Sequence, residues 1–220
     1  MISAREALKR LREGNGRFVS SIGGAEGTLT QSHNQTRKVE LAKDKSPFAI
    51  ILGCSDARVP AEIVFDQGLG DLFVIRVAGN IVAPSQVGSV EFAASRFGTR
   101  LVVVLGHSQC GAILATIEEL QRPAEKQSRH LHSIVDRVRP SVEVLLKTEL
   151  AHDMDALVRH AVRANVAVSV SHLRHGSEVL EQLIHEDGLL VVGAEYSLET
   201  GVVEFFDGVQ ISRQGIELER

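Results

Sequence analysis

The apolar run Leu101-Val-Val-Val-Leu105, which stops at Gly106 and is followed by His107, decides the fold of this chain. Short apolar runs rich in β-branched residues are typical of strands that are buried on both faces of a sheet. Such strands need helices on both sides, which indicates a parallel sheet. Four further runs of this kind lie at residues 48–52, 72–75, 189–192 and 202–206.

Helical patterns separate these apolar runs. They cover residues 60–65, 85–97, 111–120, 133–150, 154–173 and 177–185. Alternating strands and helices imply right-handed crossover connections. The sequence therefore predicts an α/β fold with a mostly parallel, doubly wound sheet that is flanked by helices. The last apolar run follows its neighbour after only a short turn, so it can form an antiparallel edge strand.

The amino-terminal part differs from the rest of the chain. It opens with a capping-box pattern and a sparse apolar stripe, which predict an amphipathic helix that ends at Gly14-Asn15-Gly16. Residues 20–45 are polar and glycine-containing without a clear period, and we interpret them as an arm. We therefore expect two units, an N-terminal helical arm at residues 1–46 and an α/β domain at residues 47–220.

The composition limits the possible function classes. The chain has 220 residues, of which 44% are hydrophobic and 24% are charged, and its net charge is −4. No apolar run approaches the roughly 18 residues that span a bilayer, and the amino terminus lacks the apolar region of a signal peptide. No basic tract indicates nucleic-acid binding. We expect a cytoplasmic protein without membrane or nucleic-acid partners, which binds small molecules or copies of itself.

Polar side chains gather at the carboxyl ends of two predicted strands. Cys54, Asp56 and Arg58 follow the first run, and His107 and Cys110 follow the third. Ligands bind outside the carboxyl ends of the strands in an open parallel sheet, so these two loops can converge on one point. Two thiolates, an imidazole and a carboxylate suit a tetrahedral zinc ion. The candidate metal ligands are Cys54, Asp56, His107 and Cys110.

Other interpretations exist for the two cysteines of the chain. A cysteine at a strand end is typically a small buried hydrophobe, and a histidine there is often a hydrogen-bonded core residue. A redox pair of Cys54 and Cys110 is a further alternative, but the C-x-x-C spacing is absent. A redox pair also leaves Asp56 and His107 without a role. The joint pattern therefore favours a metal site.

Two motifs resemble the signatures of a known enzyme family, the β-class carbonic anhydrases. They are Cys54-Ser-Asp-Ala-Arg58-Val-Pro and Gly106-His-Ser-Gln-Cys-Gly111. The resemblance is close over about residues 47–120 and extends to the rest of the chain only in layout. It continues through Phe65-Asp-Gln-Gly-Leu-Gly-Asp-Leu-Phe73, Arg76-Val-Ala-Gly-Asn80 and Ser89-Val-Glu-Phe92.

The resemblance implies a zinc-dependent carbonate dehydratase, a lyase that reversibly hydrates carbon dioxide to bicarbonate and a proton. It implies that the zinc ion is held by Cys54, His107 and Cys110, and it assigns catalysis to Asp56 and Arg58. In the family, the aspartate either occupies the fourth position on zinc, which closes the site, or pairs with the arginine. The second state leaves the position open to water, as a catalytic zinc site requires.

The resemblance also implies a substrate pocket and an assembly. In the family the pocket is completed across a dimer interface, and the amino-terminal helix of one subunit embraces the other. Residues 1–46 are accordingly expected to pack on a partner subunit of a dimer or tetramer, and residues 47–220 to form the zinc-binding catalytic domain. The positions that match the pocket and a backbone donor beside the metal are Phe73, Ala78, Phe92 and Gly111.

Three positions depart from the family pattern. Lys45 stands where many relatives have a glutamine that hydrogen-bonds the substrate. Ile51 stands where some bacterial members have a tryptophan of an inhibitory bicarbonate site, so we expect weak or absent inhibition of that type even though Arg76 is present. Ala78-Gly79 replaces bulkier residues of plant-like members, which widens the expected pocket.

Two alternative functions remain open at this point. Relatives on the same scaffold hydrolyse carbon disulfide or carbonyl sulfide through long access channels, for which the sequence shows no sign. A non-catalytic, zinc-stabilised binding protein would keep its site permanently closed. The presence of both Asp56 and Arg58 argues against this second alternative.

Overall fold

A five-stranded sheet forms the centre of the computed structural model, which describes residues 2–22, 46–121, 128–212 and 215–217. Its strands run in the spatial order β2-β1-β3-β4-β5. The strands β1 to β4 are parallel, and β5 pairs antiparallel to β4 at one edge. Their bounds are β1 (Ala49–Gly53), β2 (Leu72–Arg76), β3 (Leu101–His107), β4 (Leu190–Tyr196) and β5 (Val203–Asp207).

Helices cover both faces of this sheet. They are α1 (Ala4–Ile22), α2 (Ala61–Val64), α3 (Pro84–Arg96), α4 (Gly111–Gln121), α5 (Arg129–Glu143), α6 (Met154–His175) and α7 (Glu178–Glu186). Short 3₁₀ turns lie at Ala78–Asn80, Leu145–Lys147 and Glu149–His152, and a separate hairpin pairs β6 (Gln210–Ser212) with β7 (Gly215–Glu217). This architecture confirms the predicted α/β class with a mostly parallel sheet flanked by helices.

The two central strands are buried along their whole length because alternate residues serve different cores. Ile51 and Val103 point to the face covered by α1 and α2. Ile50 and Val102 point to the opposite face, which α3, α6 and α7 cover. Successive side chains of a strand point to opposite faces, so a run without polar residues is what two covered faces require.

The winding of the sheet reverses between β1 and β3. The chain runs from β1 outward to β2 and then returns across β1 to form β3 on its other side. Such a reversal opens a crevice outside the carboxyl ends of the two strands. The register pairs Gly53 with Leu105, so the loops that follow β1 and β3 leave the sheet side by side.

Helix α1 corrects one expectation, since it continues through Gly14-Asn15-Gly16 to Ile22. Gly14 allows α1 to approach α2, because a Cβ atom there would lie 1.9 Å from the carbonyl oxygen of Phe65. The buried Asn15 side chain donates to the carbonyl oxygens of Val64 (3.0 Å) and Gly201 (2.9 Å). These residues dock the helix on its own chain, and they do not end it.

The same contacts bear on the expected arm. The apolar stripe of α1, which includes Leu8 and Leu11, is buried in the core of its own chain. Packing of residues 1–46 on a partner subunit therefore stays a prediction, and it would have to use the other faces of α1. The remainder of the expected arm, residues 23–45, lies outside the described residues.

The helix predicted at residues 133–150 is also shorter than expected. Helix α5 ends at Glu143, and two 3₁₀ turns follow it. Pro140 lies inside the last turn of α5, where it lacks an N–H donor and its ring crowds the preceding turn. None of the helices in the described ranges combines the length and the apolar character that crossing a bilayer requires.

We expect Gly14→Ala to lower the free energy of unfolding by about 1–3 kcal/mol, because the added methyl group forces α1 away from α2. The matched control is Gly16→Ala, where an added Cβ meets nothing within 4 Å. This control should stabilise the protein by about 0.5–1 kcal/mol, since alanine is the better helix former. Thermal and denaturant unfolding of both variants measures the difference. Equal effects of the two changes would contradict docking through Gly14.

Candidate metal centre

Three side chains that can bind a metal converge outside the carboxyl ends of β1 and β3. Cys54 follows β1, His107 is the last residue of β3, and Cys110 precedes α4. Their ligand atoms all lie within 4.8 Å of one another, and all three residues are buried. The fourth residue of the predicted set, Asp56, lies at the edge of this cluster.

His107 presents one ring nitrogen to the cluster. Its Nδ1 lies 2.9 Å from the carbonyl oxygen of Ser108, and since a carbonyl only accepts, Nδ1 carries the proton. The unprotonated Nε2 is buried and has no hydrogen-bond partner within the described part of the chain. A metal-binding histidine typically has this arrangement, in which the second nitrogen donates to a carbonyl group.

The contact between the two cysteines shifts their pKa values in opposite directions. The Cys110 thiol donates to Cys54 and thereby lowers the pKa of Cys54 to about 4. The same contact raises the pKa of Cys110. Burial lowers the pKa of His107, but the adjacent Cys54 thiolate more than offsets this and raises it overall. A divalent cation can replace the proton of the Cys110 thiol. Both sulfurs are then thiolates, which is the form of cysteine that binds metals.

Asp56 is held by Arg58 rather than by the cluster. The Arg58 Nε donates to Oδ1 at 2.9 Å and Nη2 donates to Oδ2 at 2.7 Å, and the backbone N–H of Arg58 adds a third bond at 3.0 Å. These bonds hold the pKa of Asp56 well below its usual range. Oδ2 nevertheless lies only 3.9 Å from His107 Nε2. Of the two expected states, the structure has the one in which aspartate pairs with arginine.

The loop that carries Cys54 and Asp56 is braced by Arg76, the last residue of β2. Its Nε donates to the carbonyl oxygen of Cys54 at 2.9 Å, and its Nη2 donates to the carbonyl oxygen of Asp56. The sequence connected Arg76 only with an inhibitory site that was expected to be incomplete, and it gave no sign of this contact. This contact can be predicted only when the register of β1 and β2 is known, because the register places Arg76 beside the loop that follows β1.

The loop between His107 and Cys110 has a brace of its own, which sequence reasoning missed. The Glu199 carboxylate accepts from Ser108 Oγ at 2.9 Å and from Gln109 Nε2 at 2.6 Å. Gln109 has a φ of 55°, a left-handed conformation that is costly for a residue with a side chain. Glu199 lies in the turn between β4 and β5, and no local pattern connects it with a loop so distant in the sequence.

The structure brings only part of the expected pocket to the cluster. Ala78 lies in the turn next to Cys54, since the neighbouring Gly79 N–H is 3.3 Å from Cys54 Sγ. Gly111 is the first residue of α4 and faces open space, because an added Cβ there would meet nothing within 4 Å.

Phe73 and Phe92 lie elsewhere. Phe73 pairs with Ile50 near the start of β2, about 10 Å along the strand from its carboxyl end. Its ring packs 6.3 Å from that of Phe92, which is 54% exposed. These two side chains therefore do not line the metal cluster of their own chain.

Comparisons with known proteins give the family of this chain. A profile of the carbonic anhydrase family matches residues 49–203. The chain is 37% identical to a carbonic anhydrase of Mycolicibacterium smegmatis, over 90% of this chain and 91% of the relative. The chain belongs to the β-class carbonic anhydrases. Carbonic anhydrase 2 of Mycobacterium tuberculosis is 35% identical, over 89% of either chain.

Solved structures of β-class carbonic anhydrases share the fold. The enzyme CafA of Aspergillus fumigatus superimposes with a TM-score of 0.70 at 28% sequence identity, over 83% of this chain and 86% of the other. A second β-carbonic anhydrase, CcaA, gives a TM-score of 0.69 at 26% identity, over 91% and 95%.

The residues of the cluster fit the zinc ion that β-class carbonic anhydrases use. Two sulfurs and one imidazole match the soft, four-coordinate preference of zinc and disfavour magnesium or calcium. The unpartnered, buried Nε2 of His107 is an acceptor that only a cation or a donor at this point can satisfy. With three protein ligands, one coordination position remains for water or substrate, as catalytic zinc sites require.

Wild-type protein should purify with stoichiometric zinc, and Cys110→Ser should lose most of it, because a serine hydroxyl does not replace a thiolate on zinc. Thr116→Ser is the control, since Thr116 is also buried and lies on the adjacent helix α4. Zinc content after dialysis against a chelator gives the answer. Full zinc occupancy in Cys110→Ser would refute the assignment.

Proposed function

We propose that Cys54, His107 and Cys110 hold the zinc ion with which this β-class carbonic anhydrase reversibly hydrates carbon dioxide to bicarbonate and a proton. The observation that carries the assignment is the convergence of the three ligand atoms within 4.8 Å of one another, in a buried cluster. When bound, zinc lowers the pKa of a water molecule and so provides a nucleophile near neutral pH.

Asp56 is the proposed hydrogen-bond acceptor for the attacking water. Arg58 holds its carboxylate with Oδ2 on the side of the cluster, 3.9 Å from His107 Nε2. Because Arg58 lowers the pKa of Asp56, the carboxylate stays ionised throughout the neutral range and only accepts hydrogen bonds. The three hydrogen bonds from Arg58 also fix the orientation of the Asp56 carboxylate, so the attacking water donates its hydrogen bond to one defined oxygen.

The surroundings of the cluster suit an uncharged substrate. Cys54 and Cys110 belong to an apolar cluster that includes Ile81 and Ile113. Val77 packs against the same cluster. Carbon dioxide has no charge to compensate and gains little from hydrogen bonds, whereas a wet, polar wall would favour bicarbonate. Apolar walls next to the metal position therefore support carbon dioxide as the substrate.

The pairing of Asp56 with Arg58 also bears on the alternatives. A zinc-stabilised binding protein needs Asp56 on the metal permanently, but here both carboxylate oxygens are engaged by Arg58. No feature of the described residues favours carbon disulfide or carbonyl sulfide over carbon dioxide. Parallel assays of carbon dioxide hydration and carbon disulfide hydrolysis on one zinc-loaded preparation separate these activities.

We further propose that the enzyme is a dimer or a tetramer whose subunits complete one another's pockets. Within the described residues, β2 pairs on one side only, with β1. Phe73, Phe92 and Phe97 form an aromatic cluster beside this edge, with ring centroids 5.6 to 6.3 Å apart. A partly exposed aromatic cluster at a sheet edge is a typical interaction surface. It would bring Phe73 and Phe92 to a partner's metal site, as the family resemblance implies.

The cytoplasm is the proposed location. Both cysteines are free thiols, and the zinc site needs them reduced. A reducing compartment keeps thiols in that form. Cell fractionation with antibodies against the protein is the direct measurement.

Arg58→Ala should retain zinc but lose hydration activity by about 10²-fold, because the group that positions Asp56 is gone. The Asp56 carboxylate, no longer held by arginine, would then compete with hydroxide for the fourth ligand position. Hydroxide competes better as the pH rises, so the loss of activity should be largest at low pH. The measurement is a pH series of stopped-flow hydration rates at equal zinc content. Arg129→Ala, which removes an exposed arginine at the start of α5, is the control. If Arg58→Ala follows the wild type at every pH, the proposed role of the pair is wrong.

Phe92→Asp should lower the oligomer mass and the hydration rate together, since a charge in the aromatic cluster opposes docking of a second subunit. Val144→Asp is the matched control, because Val144 is 66% exposed and lies just after α5, away from this cluster. Light scattering after size-exclusion chromatography and stopped-flow assays give the two quantities. A fully active monomeric Phe92→Asp would contradict pocket completion across subunits.

A further inference from the structure

The Cys54 sulfur receives a hydrogen bond from the backbone. The N–H of Gly79 lies 3.3 Å from Sγ, and the contact is buried. Gly79 belongs to the short 3₁₀ turn Ala78–Asn80, which follows β2 and packs beside the metal cluster. An N–H donor stabilises a thiolate and limits the charge that the sulfur donates to a bound metal.

This turn has an unfavourable backbone conformation. Gly79 has a φ of 69° and Asn80 has a φ of 43°, so two successive residues are left-handed. Such a conformation is readily available to glycine but costs energy at asparagine. A side chain at Gly79 is also disfavoured, because its Cβ would lie 3.1 Å from that of Ala112. The turn therefore needs support from outside to hold its N–H on the sulfur.

Helix α6 supplies this support through two side chains. Asn165 Nδ2 donates to the carbonyl oxygen of Gly79 at 2.7 Å, and Ser169 Oγ donates to the carbonyl oxygen of Asn80 at 3.1 Å. The two donors are four residues apart and therefore lie one above the other on one face of the helix. They bind two successive carbonyl groups, which fixes the orientation of the turn.

The burial of these side chains indicates that the contacts matter. Asn165 is 1% exposed and Ser169 is 2% exposed, on a helix whose other buried positions are mainly apolar, among them Val162, Val166 and Val170. Burying an amide or a hydroxyl without a partner costs about 1–3 kcal/mol, so such groups persist where they are hydrogen-bonded. Here both bond to the same turn.

The sheet brings α6 close enough to reach the turn. A Cβ at Gly106 would lie 2.6 Å from Val166 Cγ2, and one at Gly193 would lie 2.9 Å from Val166 Cγ1. The absence of side chains at these two positions lets α6 pack tightly on β3 and β4 next to Asn165. The position of the turn is thus tied to the same strand that carries His107.

We propose that Asn165 and Ser169 are positioning residues of the metal centre, which hold the Ala78–Asn80 turn so that Gly79 N–H stays bonded to the Cys54 thiolate. This inference rests on the proposed zinc site. Neither side chain touches the metal, and each acts through a backbone carbonyl. Their loss should loosen the Cys54 sulfur and weaken zinc binding by about 10-fold or more, as is typical of outer contacts at metal sites.

The test compares Asn165→Ala and Ser169→Ala with the control Val170→Ala, which removes buried packing on the same helix without touching the turn. Three quantities are measured on each holoenzyme: zinc affinity by competition with a chromophoric chelator, the sulfur-to-metal charge-transfer band after cobalt(II) substitution, and thermal stability. Ser169→Ala deletes only one hydroxyl from a helix, so it remains informative even where Asn165→Ala does not fold.

We expect both positioning variants to lose zinc affinity and to shift the charge-transfer band, while Val170→Ala loses thermal stability only. Wild-type zinc affinity and an unshifted band in Ser169→Ala and in any folded Asn165→Ala would overturn the inference. An equal loss of zinc affinity in Val170→Ala would also overturn the inference, because the loss would then result from general destabilisation of the protein. Wild-type protein that binds no zinc would instead refute the proposed function itself.

Discussion

The parallel pairing of β1 with β3 is the constraint on which the rest of the structure depends. Because the register sets Gly53 opposite Leu105, the loops that follow both strands leave the sheet at the same point. Cys54 therefore meets His107 and Cys110 there, although it lies about 50 residues before them in the sequence. The reversal of winding between these strands places a crevice outside their carboxyl ends, where the three side chains lie.

Groups from distant parts of the chain hold the segments around the candidate metal ligands. Three distant elements each fix one of these segments: β2 through Arg76, the β4–β5 turn through Glu199, and α6 through Asn165. All three act on backbone or on non-ligating side chains of the loops. Rigid support of this kind keeps ligand atoms in place before the ion arrives, which lowers the cost of forming the site.

One chain brings together the candidate metal ligands and the Asp56–Arg58 ion pair but not the whole expected pocket. Asp56 and Arg58 are close enough to act on the cluster, whereas Phe73 and Phe92 lie near the opposite end of β2. The aromatic residues are also partly exposed at a sheet edge. This division supports the proposed assembly, in which a second subunit would supply the apolar walls that a single subunit lacks.

The sequence by itself determined the strands, most of the helices and the candidate metal-binding residues. Runs such as residues 101–105 and strand-end motifs are local, so hydrophobic period and residue chemistry are enough to recognise them. Tertiary structure alone decided that Gly14 docks a helix, that Arg76 and Glu199 brace the loops, and that Phe73 lies away from the cluster. These outcomes depend on register and on contacts between residues far apart in the chain. No local pattern encodes such contacts, because many distant partners can satisfy the same donor or fill the same space.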